Sequence, residues 1–135
     1  MSKVSPEQAV QISSSIMDIM DNWKLSGNDI LNVLALPKKF KVRHLGQFRT
    51  AQGFPDLPQV NERVSHIFGI ANALRTSYPT NPQMGNFWLN QRSRRFQNRS
   101  PIQIIIEDDL EGLVRIRKHL DCSYDWHTDA LAAQA

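Results

Sequence analysis

The sequence predicts an all-α protein, because helix caps and helical spacing of apolar residues recur along the chain and no segment alternates long enough for a strand. The first signal is Ser5-Pro6-Glu7-Gln8, with Ser at the cap, Pro at the first helical position and Gln three residues after the cap. Apolar residues then follow at helical spacing: Ala9, Ile12, Ile16, Ile19, Met20 and Trp23. The chain is therefore predicted to begin with an amphipathic helix.

Two shorter helices are predicted to follow. Gly27 interrupts the first pattern, and either Ser26 or Asn28 can cap a second helix that ends before Pro37. The segment 38–48 then has the spacing of a basic third helix. This layout resembles a helix-turn-helix unit, whose last helix enters the major groove of DNA. We therefore expect a helix-turn-helix-like lobe in residues 1–56, ending at the Gly- and Pro-containing loop 53–58.

A second helical lobe is predicted in residues 57–126, packed on the first lobe and followed by a tail at 127–135. Its predicted segments are a long helix at 59–77, a short helix at 84–89, an Arg-rich loop at 91–100 and two further helices at 101–106 and 110–120. The run Ile102–Ile106 could instead form a short strand. Phe87, Trp88 and Leu89 are expected to lie in the core, since aromatic residues at helical spacing usually do.

The composition favours a folded protein of the cytoplasm. The 135 residues are 41% hydrophobic and 21% charged, which is enough apolar material for a core. No apolar run approaches the length of a membrane span, and the first residues lack the apolar core of a secretory signal. One cysteine, Cys122, excludes an internal disulfide and is typical of a reducing compartment.

The charge is unevenly distributed, although the net charge is only +3. No acidic residue lies between Asp29 and Asp56 or between Glu62 and Glu107, whereas Lys and Arg are frequent in both stretches. Such basic segments favour an anionic partner, either nucleic acid or an acidic protein surface, although a plain solvated surface is the alternative.

Residue patterns of known catalytic sites are absent from the sequence, which has no phosphate-binding Gly loop, CxxC, HExxH or GxSxG. His119 with Asp121 or Asp125 offers too few ligands at metal spacing. The acidic residues at 107–111 are explained by the positive end of the last helix dipole. We therefore expect a protein that is not an enzyme and that carries no metal or cofactor.

A DNA-binding surface is one expectation for the N-terminal lobe. The predicted third helix and the residues after it are basic and contain no acidic residue, which suits contact with DNA phosphates. The candidate DNA-binding residues are Lys38, Lys39, Lys41, Arg43 and Arg49.

Short motifs in a fixed order run through most of the chain. They include Trp23-Lys24-Leu25-Ser26, Leu34-Ala35-Leu36, Glu62-Arg63-Val64, Ile67-Phe68-Gly69-Ile70, Tyr78-Pro79, Trp88-Leu89, Ser100-Pro101, the run from Gly112 to Asp121, and Trp126. In this order the sequence resembles the Xre/MbcA/ParS-type antitoxins, which carry a C-terminal toxin-binding domain. It departs from them at Gln97-Asn98-Arg99, where the family usually has a Gly pair, and at Pro37 and Phe40 in the DNA-binding turn.

The resemblance implies an antitoxin of a type II toxin–antitoxin system. Such proteins bind and neutralise a partner toxin, often a RES-type toxin that destroys NAD, and they commonly form homodimers and bind operator DNA to repress their own operon. A DNA-binding regulator without a toxin partner is the alternative.

Toxin binding is expected in the C-terminal lobe, through the Arg-rich loop and the end of the last helix. Arg, Tyr and Trp often dominate the affinity of protein interfaces, and an Arg-crowded loop gains little for folding. The candidate toxin-binding residues are Arg92, Arg94, Arg95, Arg99, Arg117, Asp121, Tyr124 and Trp126.

Overall fold

The computed structural model describes the backbone of residues 5–134 and the side chains of residues 5–81 and 83–121. Over this range the protein is helical and contains no strand, so the all-α prediction is confirmed. The helices are α1 (Pro6–Asn22), α2 (Gly27–Leu34), α3 (Leu45–Thr50), α4 (Pro58–Ser77), α5 (Pro82–Asn90), α6 (Pro101–Glu107) and α7 (Asp109–Gln134). Short 3₁₀ turns lie at Val42–His44 and Arg94–Phe96.

The chain divides into two compact units, one ending at Ile67 and the other beginning at Phe68. The division falls within α4, whereas the sequence suggested the loop 53–58. The lobe boundary after Asp56 and the packing of one lobe on the other stay predictions.

In the N-terminal unit, the predicted caps are formed by short-range hydrogen bonds. The Ser5 hydroxyl accepts from the Gln8 amide at 3.2 Å and the Gln8 side chain accepts from the Ser5 amide at 3.1 Å, which completes a capping box. The Ser26 hydroxyl accepts from the Asp29 amide at 3.1 Å and starts α2. α1 packs against α3, and their buried side chains include Ile16, Met20 and Phe48.

The predicted basic helix at 38–48 is wrong for most of its length. α2 stops at Ala35, which adopts a left-handed conformation with φ of 54°. Pro37 then begins a turn in which the Phe40 amide donates to the Pro37 carbonyl at 3.0 Å. The His44 ring accepts from the Lys41 amide at 2.7 Å, and α3 begins only at Leu45. The helical spacing of the apolar residues did not reveal that residues 38–44 are irregular.

In the C-terminal unit, α6 and α7 pack closely against each other. Ser100 and Gln103 form a capping box around Pro101, the first residue of α6. The helical prediction for 101–106 is therefore confirmed, and the strand alternative is wrong. Gly112 of α7 lies directly against the backbone of Ile104, leaving no space for a Cβ atom. α7 extends beyond the predicted end near Leu120.

The three neighbouring residues predicted to be core have three different environments. Leu89 is fully buried, as expected, but Phe87 is 62% exposed, so that prediction is wrong for Phe87. Successive helical residues are 100° apart, so Phe87 and Leu89 point to opposite sides of α5. Trp88 lies between them and is half-buried.

Candidate functional site

The segment 91–100, called here the arginine loop, is held in a compact conformation by its own backbone. The Ser93 amide donates to the Arg99 carbonyl at 3.3 Å, which closes the loop. Gln97 and Asn98 both adopt the left-handed conformation, with φ of 56° and 62°. Side chains other than glycine rarely adopt this conformation, so two such residues in succession mark a tightly turned backbone.

Arg99 fixes the end of the arginine loop to the end of α6. Its guanidinium donates two hydrogen bonds of 2.9 Å to the Asp108 carboxylate and lies 3.4 Å from Glu107. This bidentate pairing lowers the pKa of Asp108 and raises the pKa of Arg99. Arg99, predicted to bind a toxin, is thus engaged within the protein.

The other three arginines of the loop have no acidic partner of the kind that Arg99 has. Arg92, Arg94 and Arg95 are exposed, and none of them forms an ion pair with a described carboxylate, although Nη1 of Arg95 lies 3.5 Å from Nε2 of His119. Three like charges within four consecutive residues repel one another, and an anionic partner would relieve that repulsion.

An aromatic cluster lies beside these arginines. The indole of Trp88 and the imidazole of His119 are stacked nearly parallel, with an interplanar angle of 9° and 5.7 Å between centroids. Phe96 meets both rings edge-on, at 6.5 Å from Trp88 and 5.3 Å from His119. Arg115 covers Phe96 at 5.2 Å and donates to the Gln97 side chain at 3.2 Å, which ties the arginine loop to α7.

The cluster and the arginine loop together line a cleft of about 650 Å³. Its lining residues are Trp88, Gln91, Arg92, Ser93, Arg94, Arg95, Phe96, Pro101 and His119. Burial, and secondarily the positive charge of Arg95, lower the pKa of His119 from its ordinary value, because both disfavour the charged imidazolium. The cleft thus combines flat aromatic rings with an excess of positive charge.

The remaining candidate toxin-binding residues lie on α7. The Arg117 guanidinium is 3.9 Å from the Asp121 carboxylate one helical turn later, and it packs so closely on Gly69 of α4 that a Cβ there would collide with it. The side chains of Tyr124 and Trp126 lie outside the described residues. The sequence analysis identified the arginine loop but did not predict that Trp88, His119 and Phe96 contact one another beside it.

The candidate DNA-binding residues separate into two groups. Lys38, Lys39, Lys41 and Arg43 are all exposed on the irregular segment that precedes α3. Arg49 instead donates two hydrogen bonds, of 2.9 and 2.8 Å, to Asp21 of α1, which lowers the pKa of that carboxyl. The basic segment is therefore a surface patch, and Arg49 connects α3 to α1.

Within the described part of the chain, no cluster of three potential metal-ligating side chains occurs. No helix there combines the length and the apolar character needed to cross a bilayer. No protein-family model matches the sequence, and no curated protein matches it significantly.

Proposed function

We propose that the protein is an antitoxin that neutralises a RES-type toxin by binding it, and that the arginine loop forms part of the contact surface. The proposal takes its partner from the order of motifs between residues 10 and 126. The single observation that supports it most is the arginine loop itself, in which Arg92, Arg94 and Arg95 are exposed on an anchored backbone and form no ion pair with the carboxylates that the structure describes. In this proposal the protein acts by binding and carries out no reaction.

The chemistry of the loop suits a protein partner. Arginine forms bidentate hydrogen bonds with carboxylates and stacks on aromatic rings, and with Trp and Tyr it often dominates interface affinity. The fixed backbone means that docking does not have to order the loop in addition to the translational, rotational and side-chain entropy that association loses. The proposed counterpart is an acidic patch on the toxin next to the entrance of its active site.

A growth-rescue assay tests the proposal. The product of the neighbouring gene, as the candidate toxin, is co-expressed with the wild type or with Arg92→Ala, Arg94→Ala and Arg95→Ala combined. The matched control combines Lys38→Ala, Lys39→Ala and Arg43→Ala, which also removes three exposed positive charges. We expect the first variant to lose rescue and co-purification of the toxin while the control retains both. Equal rescue by both variants would contradict the assignment.

A DNA-binding regulator is the second candidate, and the exposed basic patch Lys38–Arg43 favours it. Its cations lie in a stretch of the chain that has no acidic residue, which suits contact with phosphates. Binding to the protein's own promoter should weaken with salt, with a slope of about −0.9 per phosphate contact. In this assay the variant that lacks Lys38, Lys39 and Arg43 should lose DNA binding. The variant that lacks the three exposed arginines of the arginine loop should keep it.

The resemblance also implies a homodimer. Sedimentation equilibrium of the protein alone tests this, and a monomer at micromolar concentration would contradict it.

A further inference from the structure

The cleft beside the arginine loop has the chemistry of a small-ligand site as well as of a protein-contact surface. Trp88 and His119 both line it, and their rings are already parallel, 9° apart. Aromatic rings that line a cleft in this way can hold a further planar ring, because stacking needs only a flat π-face on each partner. The volume of about 650 Å³ also lies within the usual range for ligand pockets.

The charge around the cleft specifies the second part of the ligand. Arg92, Arg94 and Arg95 lie on its rim, and none of its lining residues is acidic. The guanidinium groups can bind phosphate oxygens in a bidentate manner. A ligand that satisfies both features carries a flat aromatic ring at one end and a multiply charged anion at the other.

We propose that this cleft binds a nucleoside phosphate, with the base against the Trp88–His119 stack and the phosphates on Arg92, Arg94 and Arg95. The inference goes beyond toxin binding; it uses the same three arginines, but it adds the Trp88–His119 stack, and it is tested on the protein without a toxin. The same chemistry is available from a free nucleotide and from a nucleotide within a single-stranded nucleic acid.

Isothermal titration calorimetry at low salt tests the proposal with the full chain. The ligands are ATP, adenosine, inorganic tripolyphosphate and a short single-stranded oligoadenylate. We expect ATP to bind more tightly than adenosine or tripolyphosphate, because only ATP supplies both the ring and the phosphates. Binding of ATP assigns the site to free nucleotides, whereas binding of the oligonucleotide alone assigns it to single strands.

Variants separate the two parts of the site. Arg94→Ala with Arg95→Ala should weaken ATP binding about 10- to 150-fold, the range expected for lost hydrogen bonds to a charged group. Trp88→Leu should weaken it about 5- to 150-fold through lost stacking. The control is Lys38→Ala with Lys39→Ala, which removes two exposed charges outside the cleft and should leave the affinity unchanged.

Far-UV circular dichroism verifies that each variant is folded, and because Arg94 and Arg95 are exposed, their variant tests the site even if Trp88→Leu does not fold. The proposal is overturned if neither ATP nor the oligonucleotide binds with a Kd of about 1 mM or lower. It is also overturned if tripolyphosphate binds as tightly as ATP, or if the lysine control weakens binding as much as the arginine variant.

Discussion

Replacing Gly112 with alanine tests how closely α6 and α7 approach each other. Gly112 lies on α7, and a Cβ atom built there would be 2.9 Å from the carbonyl carbon of Ile104 and nearer still to its oxygen. Real side chains do not approach a backbone so closely. Because the obstructing atoms belong to the backbone of α6, no side-chain rotation can relieve the contact, and the two helices must move apart.

The expected magnitude follows from two opposing effects. Alanine in place of glycine within a helix stabilises by about 0.5–1 kcal/mol. Forcing an extra carbon into a packed interface costs about 1–3 kcal/mol, and more when the backbone must shift. The net effect of Gly112→Ala is therefore a loss of about 0–2.5 kcal/mol, and we expect a value near the upper end because the obstructing neighbour is backbone.

Gly46→Ala is the matched control, because Gly46 also lies in a helix, α3, but has no atom within 4 Å of the added Cβ. It should be neutral or stabilising by up to about 1 kcal/mol. Urea unfolding followed by circular dichroism measures both variants, and the difference between them isolates the cost of the contact, about 1–3 kcal/mol. Equal stabilities for the two variants would refute the close approach of α6 and α7.

Three further results are expected from the described packing and pKa shifts. Leu89→Ala should cost about 2–5 kcal/mol because its side chain is fully buried, whereas exposed Phe87→Ala should change stability by less than about 0.5 kcal/mol; similar losses in urea unfolding would contradict the two environments. Burial lowers the pKa of His119, so the contribution of this side chain to stability is complete above the unfolded pKa of about 6.5 and is lost as the pH falls through the folded value. His119→Gln should flatten this part of a profile of melting temperature against pH, and an unchanged slope would argue against the lowered pKa. Asp21→Asn should cost less than about 1 kcal/mol at neutral pH because the paired side chains are 37% and 39% exposed; as the pKa of Asp21 is lowered, the contribution of the pair is present above about pH 3.9 and disappears as the pH falls through the lower folded value, which acid titration of both proteins would show.

The starts of α1, α2 and α6 could be predicted from the sequence because capping is local. At Ser5, Ser26 and Ser100 the side chain bonds to an amide only three residues away, so a short pattern contains all the information. The end of α2 ahead of Pro37 was predicted as well, because proline stops a helix. The irregular course of residues 38–44 was not visible, because this basic segment kept an apolar spacing that suits a helix.

The candidate site was predictable only in part, for a related reason. The crowding of arginines at 91–100 is a property of the chain and could be seen at once. The pairing of Arg99 with Asp108 and the stacking of Trp88 on His119 depend on how α5, α6 and α7 pack, which spacing does not specify. The same dependence explains Phe87, since a short helix with apolar residues on several sides gives no indication of which side faces the core.

The anchoring of the arginine loop bears on how fast an anionic partner can associate. Its backbone is already closed by the Ser93–Arg99 bond and tied to its neighbours through Arg99 and Gln97, so no loop folding has to precede docking. The association rate is then governed by diffusion and by the attraction of three cations. Raising the ionic strength should therefore slow association strongly while leaving dissociation nearly constant.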